Sequence, residues 1–279
     1  MLPIPDSDTI PASGLSAGPE ATEVPVPWAL TRLGRRVMRP GGMEMTRRMI
    51  DALDIGPEDR VVELAPGLGA ASRIALENQP MTFTGIERDE VTAKLVRQVI
   101  RGARRCCVHG AIAQTGLDAS STSVAYGESI LSFQNEGRQR AILAEAFRFL
   151  QSGGRLGLHE IALTPEYLEQ SRKDRIASDL LQNVDAEARL LTCGEWLEML
   201  RSVGLEVEII ETAPLQSLTP LRLMRNEGLR DALRVFTSVL RSPAARKRFA
   251  ALRDTLSQHR DVVSSVFIVA QKPWFSGPL

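Results

Sequence analysis

Apolar residues in this chain fall into short runs separated by amphipathic stretches, a rhythm that predicts strands alternating with helices. From Trp28 to Leu53 the spacing is helical, interrupted at Arg39-Pro40-Gly41-Gly42, where proline and paired glycine turn the chain. Short apolar runs then predict strands at Arg60–Leu64, Thr82–Ile86, Arg105–His109, Ser123–Tyr126 and Arg155–Ile161. Helices are predicted between them at Ala70–Asn78, Val91–Ile100 and Gly137–Leu150, the last closed by Ser152-Gly153-Gly154 as a C-cap. Such alternation argues for a doubly wound α/β sheet that binds ligands at the carboxyl ends of its strands.

Past Pro165 the rhythm changes. Glu166 to Ala188 is polar and helix-like, and Thr192–Val203 is a helix whose Thr192 and Glu195 have the spacing of a capping box. Two further strands, Leu205–Ile210 and Val262–Ala270, bracket a long charged helical stretch from Pro220 to Arg260 and are predicted to end the sheet with an antiparallel strand. The expected organisation is a tail over 1–26, rich in Pro, Ser and Gly and disordered, followed by one domain over 27–279. That domain carries N-terminal helices at 28–53 and helical lid insertions at 166–190 and 219–260.

Composition narrows the partners. Lys and Arg total 34 and Asp and Glu total 34, so no global field recruits nucleic acid or anionic lipid. Arg241 to Arg253 is basic, but Phe249 and Leu252 recur at helical spacing, as on an amphipathic helix with a solvated face; a structured-RNA substrate would have to use this helix. No stretch approaches the roughly 20 apolar residues that span a bilayer, and no basic leader precedes the tail, so a soluble cytoplasmic protein is expected. Cys106, Cys107 and Cys193 show no CxxC spacing, which predicts no cysteine-bound metal, and the adjacent pair falls in a strand predicted to be buried.

The chemistry concentrates in Glu63-Leu64-Ala65-Pro66-Gly67-Leu68-Gly69 and Gly85-Ile86-Glu87-Arg88. Gly67 and Gly69 allow positive φ and close backbone approach where a helix N-terminus offers unpaired N–H groups. Acids end both strands beside this one turn; they would repel a pyrophosphate but suit a ligand carrying an amine and a diol. A Gly-rich turn without ligand is the plain alternative for the turn taken alone. A nicotinamide-dependent oxidoreductase is another, with Gly67-x-Gly69-x-x-Ser72 as a degraded dinucleotide fingerprint and Glu87 on the ribose.

These residues, in this order, resemble the class I S-adenosylmethionine-dependent methyltransferases, whose first motif reads acid-x-Gly-x-Gly-x-Gly; the resemblance runs from Arg60 to Ile161. It implies a seven-stranded Rossmann-like methyltransferase sheet, mostly parallel with an antiparallel last strand, under a helical cover. It also implies S-adenosylmethionine as cofactor, S-adenosylhomocysteine as product, and no metal. Carried over by position, Glu63 acts near the methionine amino group, directly or through water. Ala65, Pro66, Gly67 and Gly69 shape the methionine and ribose pocket, Ala65 replacing the family's first glycine. Glu87 binds the ribose hydroxyls, with Arg88 beside it, and Ala111 and Ile112 lie along the adenine, where the family's acid is missing.

Tyr126-Gly127-Glu128-Ser129 departs from the Asn/Asp-Pro-Pro-aromatic signature of nucleobase amine methylation, which points away from nucleic acid. Leu150-Gln151-Ser152-Gly153-Gly154-Arg155-Leu156 is similar to the turn of the small-molecule branch that includes ubiquinone and menaquinone biosynthesis enzymes. The implied acceptor is a small, apolar or amphipathic molecule. Glu128 would meet the transferring methyl, and His159 is the candidate base, needed only if the acceptor must lose a proton. His109 and His259 rank behind it, and a structural histidine is the alternative. A cofactor-binding scaffold or regulator without chemistry also fits Ala65 and Ala111, and both a monomer and a homodimer are compatible with the sequence.

Overall fold

The computed structural model describes residues 40–67, 69–180, 189–215 and 258–274. The predicted first helix from Trp28, the basic run at 241–253, nearly all of the second lid insertion and residues 181–188 of the first lie outside these residues. Eight strands form one sheet: β1 (Arg60–Leu64), β2 (Thr82–Glu87), β3 (Arg105–His109), β4 (Thr122–Glu128), β5 (Leu150–Leu163), β6 (Leu191–Thr192), β7 (Glu206–Pro214) and β8 (Val263–Gln271). Their order is β3-β2-β1-β4-β5-β8-β7, with β6 beside β5. Pairing is parallel from β3 to β5 and antiparallel where β8 meets β5 and β7. This is the Rossmann-like methyltransferase sheet with mixed last strands.

Six helices are described: α1 (Gly42–Ala52), α2 (Ala70–Glu77), α3 (Glu90–Val99), α4 (Glu136–Phe149), α5 (Gln170–Leu180) and α6 (Cys193–Ser202). Strand alternation sorts the core into two layers. Leu156, Leu158 and Ala162 of β5 face Ile142, Leu143 and Phe149 of α4 and Trp196 and Leu200 of α6. Val124 and Tyr126 of β4 and Phe267 of β8 face Met45, Met49 and Ile50 of α1 with Ile74 of α2. Helix α1 sits directly on β5, because a Cβ at Gly157 would come within 2.7 Å of Leu53 Cδ1. The Thr192–Glu195 capping box is present at the start of α6, satisfying two otherwise orphaned N–H groups.

Two local expectations are corrected. Ser152-Gly153-Gly154 does not cap α4, since the chain is already extended at Leu150 and enters β5 there. The helix end is satisfied instead from the far end of β8, where buried Lys272 donates from Nζ to the carbonyls of Phe147 (2.8 Å) and Leu150 (2.7 Å). Gly153, at φ +73°, is required because a Cβ there would overlap the Trp274 ring at 2.1 Å. The adjacent cysteines are not both buried: β3 is the sheet edge, so Cys106 is exposed while Cys107 points inward. The two-residue β6 was not expected, and it pairs with Ala162 and Leu163 beyond the last β4 partner of β5.

Candidate functional site

The chain leaves β1 for β2 on one side and returns to β4 on the other, so the crevice beyond the carboxyl ends of β1 and β4 is the switch point of the sheet. The turn after β1 occupies it. Ala65 takes φ +54°, Gly67 φ +57° and Gly69 φ +74°, the last as N-cap of α2. Ala65 N–H donates to Ile86 O at 2.9 Å and Gly69 N–H to Pro66 O at 2.9 Å, which closes the turn. Among the described residues a Cβ at Gly67 would meet nothing within 4 Å, whereas one at Gly69 would approach Val99 Cγ1 to 2.9 Å. Gly67 therefore faces open space and Gly69 faces the core.

Two buried carboxylates flank this space. Glu63, 3% exposed, accepts a hydrogen bond from Ser72 Oγ in the first turn of α2. Glu87, 6% exposed, accepts from Asp89 N–H at 3.1 Å. Burial raises the Glu87 carboxyl above its ordinary value, against the lowering effect of the Asp89 and Gly67 backbone N–H groups. Asp89 in turn caps α3 by accepting from Thr92 N–H at 2.7 Å. Arg88 is exposed, and its carbonyl lies 2.9 Å from His109 Nε2.

The loop after β3 returns toward this turn. Ala111 bridges to Gln114, and Ile112 packs on the same apolar layer as Ala65. The loop is fixed by Glu145 of α4, whose Oε1 accepts from Thr115 N–H (2.7 Å) and Thr115 Oγ1 (2.6 Å). Arg148 donates to the same carboxylate and, with Thr115, lowers its pKa to about 2. Neither Ser72 nor Glu145 was singled out as a site residue from sequence. Ser72 had a usable signal in its place nine residues after Glu63 on the predicted first helical turn; Glu145 had none.

On the other side of the crevice, register places Glu128 opposite His159. His159 is fully buried; its Nε2 accepts from Gly41 N–H at 3.1 Å, with Ser265 Oγ 2.9 Å from the same nitrogen. Nδ1 therefore carries the proton in the neutral ring and donates to Glu128 Oε1 at 2.9 Å. Thr46 Oγ1 of α1 donates to the same oxygen at 2.5 Å. The Glu128 side chain, 10% exposed against 0% for His159, is the one of this pair nearer the crevice surface. The two sequence candidates are thus joined, with the histidine behind the carboxylate. His259 lies elsewhere, 2.9 Å from Asp179 of α5.

Among the described residues no group of three or more His, Cys, Asp or Glu is placed to hold a metal ion, and no helix is long and apolar enough to cross a membrane. No protein-family model matches the chain. An uncharacterized protein of Haemophilus influenzae is 19% identical over 247 residues, covering 87% of this chain and 96% of its own length. Among solved structures, the [4+2]-cyclase SpnF superposes with a TM-score of 0.65 at 16% identity, covering 86% of this chain and 88% of its own. A geranyl diphosphate methyltransferase in complex with S-adenosylmethionine gives a TM-score of 0.58 at 15% identity, covering 82% and 84%. The chain is built on the class I S-adenosylmethionine-dependent methyltransferase fold.

Proposed function

We propose that the protein is an S-adenosylmethionine-dependent methyltransferase acting on a small, apolar or amphipathic acceptor. One observation carries this reading: the open face of Gly67 lies beside two buried carboxylates, Glu63 and Glu87, on neighbouring strand ends. A buried carboxylate is retained where a donor or a cation satisfies it. Glu87 suits a ribose diol, and Glu63, oriented by Ser72, suits the ammonium of the methionine moiety directly or through water. Pyrophosphate between two acids would be repelled, which disfavours the dinucleotide alternative.

When bound, the cofactor supplies a sulfonium methyl for in-line displacement. Ala65, Pro66, Gly67 and Gly69 would shape its pocket, with Arg88 beside the ribose site and Ala111 and Ile112 along the adenine. Glu128 would face the acceptor. Thr46 and His159 hold its Oε1, and an ionised carboxylate so placed can orient a hydroxyl or amine or accept its proton. His159 has both ring nitrogens engaged, so we assign it the orientation of Glu128 in place of direct proton abstraction. Positioning and exclusion of water supply much of the rate in such a transfer.

Resemblance to the geranyl diphosphate enzyme supports an amphipathic acceptor; nothing specific favours the quinone-biosynthesis branch over others. A second reading, cofactor binding without methyl transfer, is supported by the likeness to a cyclase, whose TM-score is the higher of the two. Calorimetric titration with S-adenosylhomocysteine and with NAD, followed by incubation with methyl-labelled S-adenosylmethionine and a cell extract, separates the readings. S-adenosylhomocysteine binding with label in the low-mass fraction is expected. NAD binding without a response to S-adenosylhomocysteine would overturn the proposal, and binding without label transfer would favour the second reading.

A further inference from the structure

His159 and Glu160 are consecutive on β5 and point to opposite faces of the sheet, and together they hold the whole segment that follows β4. On one face lies the Glu128–His159 pair. On the other, the fully buried Glu160 accepts at Oε1 from the N–H groups of Ile130 (2.8 Å) and Leu131 (3.0 Å). Its Oε2 accepts from Ser132 N–H (3.0 Å) and Ser132 Oγ (2.6 Å). The strand itself completes the grip: Ser129 N–H donates to His159 O at 2.9 Å and Ile161 N–H to Ser132 Oγ at 3.0 Å. Ser129 is held at φ +53°, a conformation costly for a side-chain-bearing residue unless its surroundings impose it.

Taking a carboxylate out of water costs several kcal/mol, and the neighbours Ile130, Leu131, Leu158 and Ala162 are apolar. Desolvation raises the Glu160 carboxyl to about 7, even with four donors opposing it. Packing alone would favour an apolar residue here. What a carboxylate adds is a rigid two-oxygen acceptor for three successive backbone N–H groups, which fixes a turn of fixed shape.

We propose that Glu160 is a positioning residue that acts through the backbone of Ile130, Leu131 and Ser132 to set the turn after β4 and so the placement of Glu128 toward the acceptor. This rests on the methyl-transfer reading of the crevice. The hydrogen bonds of Glu160 go to residues 130–132 and not to the β1 and β2 ends, so affinity for the cofactor side is expected to survive its replacement.

Full-length Glu160→Gln and Ser132→Ala test it. In Glu160→Gln an amide NH2 faces backbone donors, while Ser132→Ala removes one donor and leaves the carboxylate with three N–H groups. The readouts are amide hydrogen exchange of residues 129–132, calorimetric affinity for S-adenosylhomocysteine, and label transfer from S-adenosylmethionine into the low-mass fraction of an extract. Glu160→Gln is expected to lose protection of these amides about tenfold and label transfer about thirtyfold, with S-adenosylhomocysteine affinity kept within about threefold. Ser132→Ala is expected to lose roughly threefold in transfer, and it decides the matter if Glu160→Gln does not fold. Unchanged exchange and transfer would overturn the proposal, as would transfer falling only in parallel with S-adenosylhomocysteine affinity. If the wild-type chain binds no S-adenosylhomocysteine, the methyl-transfer reading fails, while the exchange at 129–132 still judges the clamp.

Discussion

Gly67 and Gly69 are two residues apart in one turn and both left-handed, yet alanine at each should fail in a different way. At Gly67 (φ +57°) an added Cβ meets nothing within 4 Å, so Gly67→Ala carries only the left-handed penalty of roughly 1–2 kcal/mol. Ala65 already occupies φ +54° in the same turn, evidence that the fold tolerates this cost. At Gly69 (φ +74°) the same penalty is joined by contacts of 2.9 Å and 3.2 Å with Val99 Cγ1 and Cβ. Val99 lies on α3, so the clash adds overpacking of about 1–3 kcal/mol, and Gly69→Ala should lose roughly 2–5 kcal/mol. Thermal unfolding would place Gly67→Ala roughly 2–8 °C and Gly69→Ala roughly 4–20 °C below the wild type. Binding should rank the other way. The Gly67 methyl enters the space assigned to the cofactor and should weaken S-adenosylhomocysteine at least about tenfold, or 1.4 kcal/mol, whereas folded Gly69→Ala should bind within about threefold of wild type. Gly67→Ala with unaltered S-adenosylhomocysteine affinity would refute the placement of the ligand against that turn, and equal stability losses would refute the packing difference.

Three further outcomes concern the ionisable groups Glu87, Glu145 and Lys272. Because burial raises the Glu87 carboxyl and its ionised form is the stronger acceptor for a diol, S-adenosylhomocysteine affinity should fall on acidification, beginning above the ordinary carboxylate range; Glu87→Gln should bind at least about tenfold more weakly with a flat profile in calorimetry. Glu145 is lowered to about 2 by Arg148 and Thr115, so its contribution, about 1 kcal/mol once exposure of Arg148 is allowed for, is complete above the unfolded-state value of 4.5 and lost as pH falls from there toward 2; urea midpoints of wild type and Glu145→Gln should converge across that window. Lys272→Met removes the donor to Phe147 O and Leu150 O and should cost about 2–3 kcal/mol in urea unfolding while leaving S-adenosylhomocysteine affinity unchanged.

The parts of the fold legible in sequence are those specified by local composition. Val61-Val62, Phe83 and Val124-Ala125-Tyr126 are apolar runs between turn residues, and each lies inside the expected strand. Thr192 and Glu195 read as a capping box because both partners sit within one turn. Ser152-Gly153-Gly154 misleads because its local signal is that of a helix end, while the group that ends the helix, Lys272, is over a hundred positions away. Strand β6 has no signal of its own, since two residues pair through backbone against a neighbour that outruns β4. Within the site, the positions of Glu63, Gly67 and Glu87 were legible because one turn and two strand ends define them. Glu145 and Glu160 were not, because an acid in sequence reads as solvated and only long-range topology brings Thr115 or Ile130 against it.

The two sides of the crevice consequently answer to different kinds of change. The cofactor side is made of backbone conformation in one turn plus two carboxylates on adjacent parallel strands, a geometry that the sheet imposes whatever the chemistry. Its scaffold is shared in outline with both a cyclase and a prenyl-diphosphate methyltransferase, so likeness of fold cannot choose between their reactions. The other side is assembled from Thr46 on α1, Glu128 on β4, His159 and Glu160 on β5 and Ser265 on β8, where strand pairing sets the backbone and side-chain hydrogen bonds with the segment 129–132 set the rest. A substitution there can reshape the acceptor surface without disturbing the strand order or the Gly67 turn. Specificity in this chain is therefore expected to be written at the end of β4, where the chain leaves its last pairing with β5 at Glu128 and His159 and side chains decide where the Glu128 carboxylate stands.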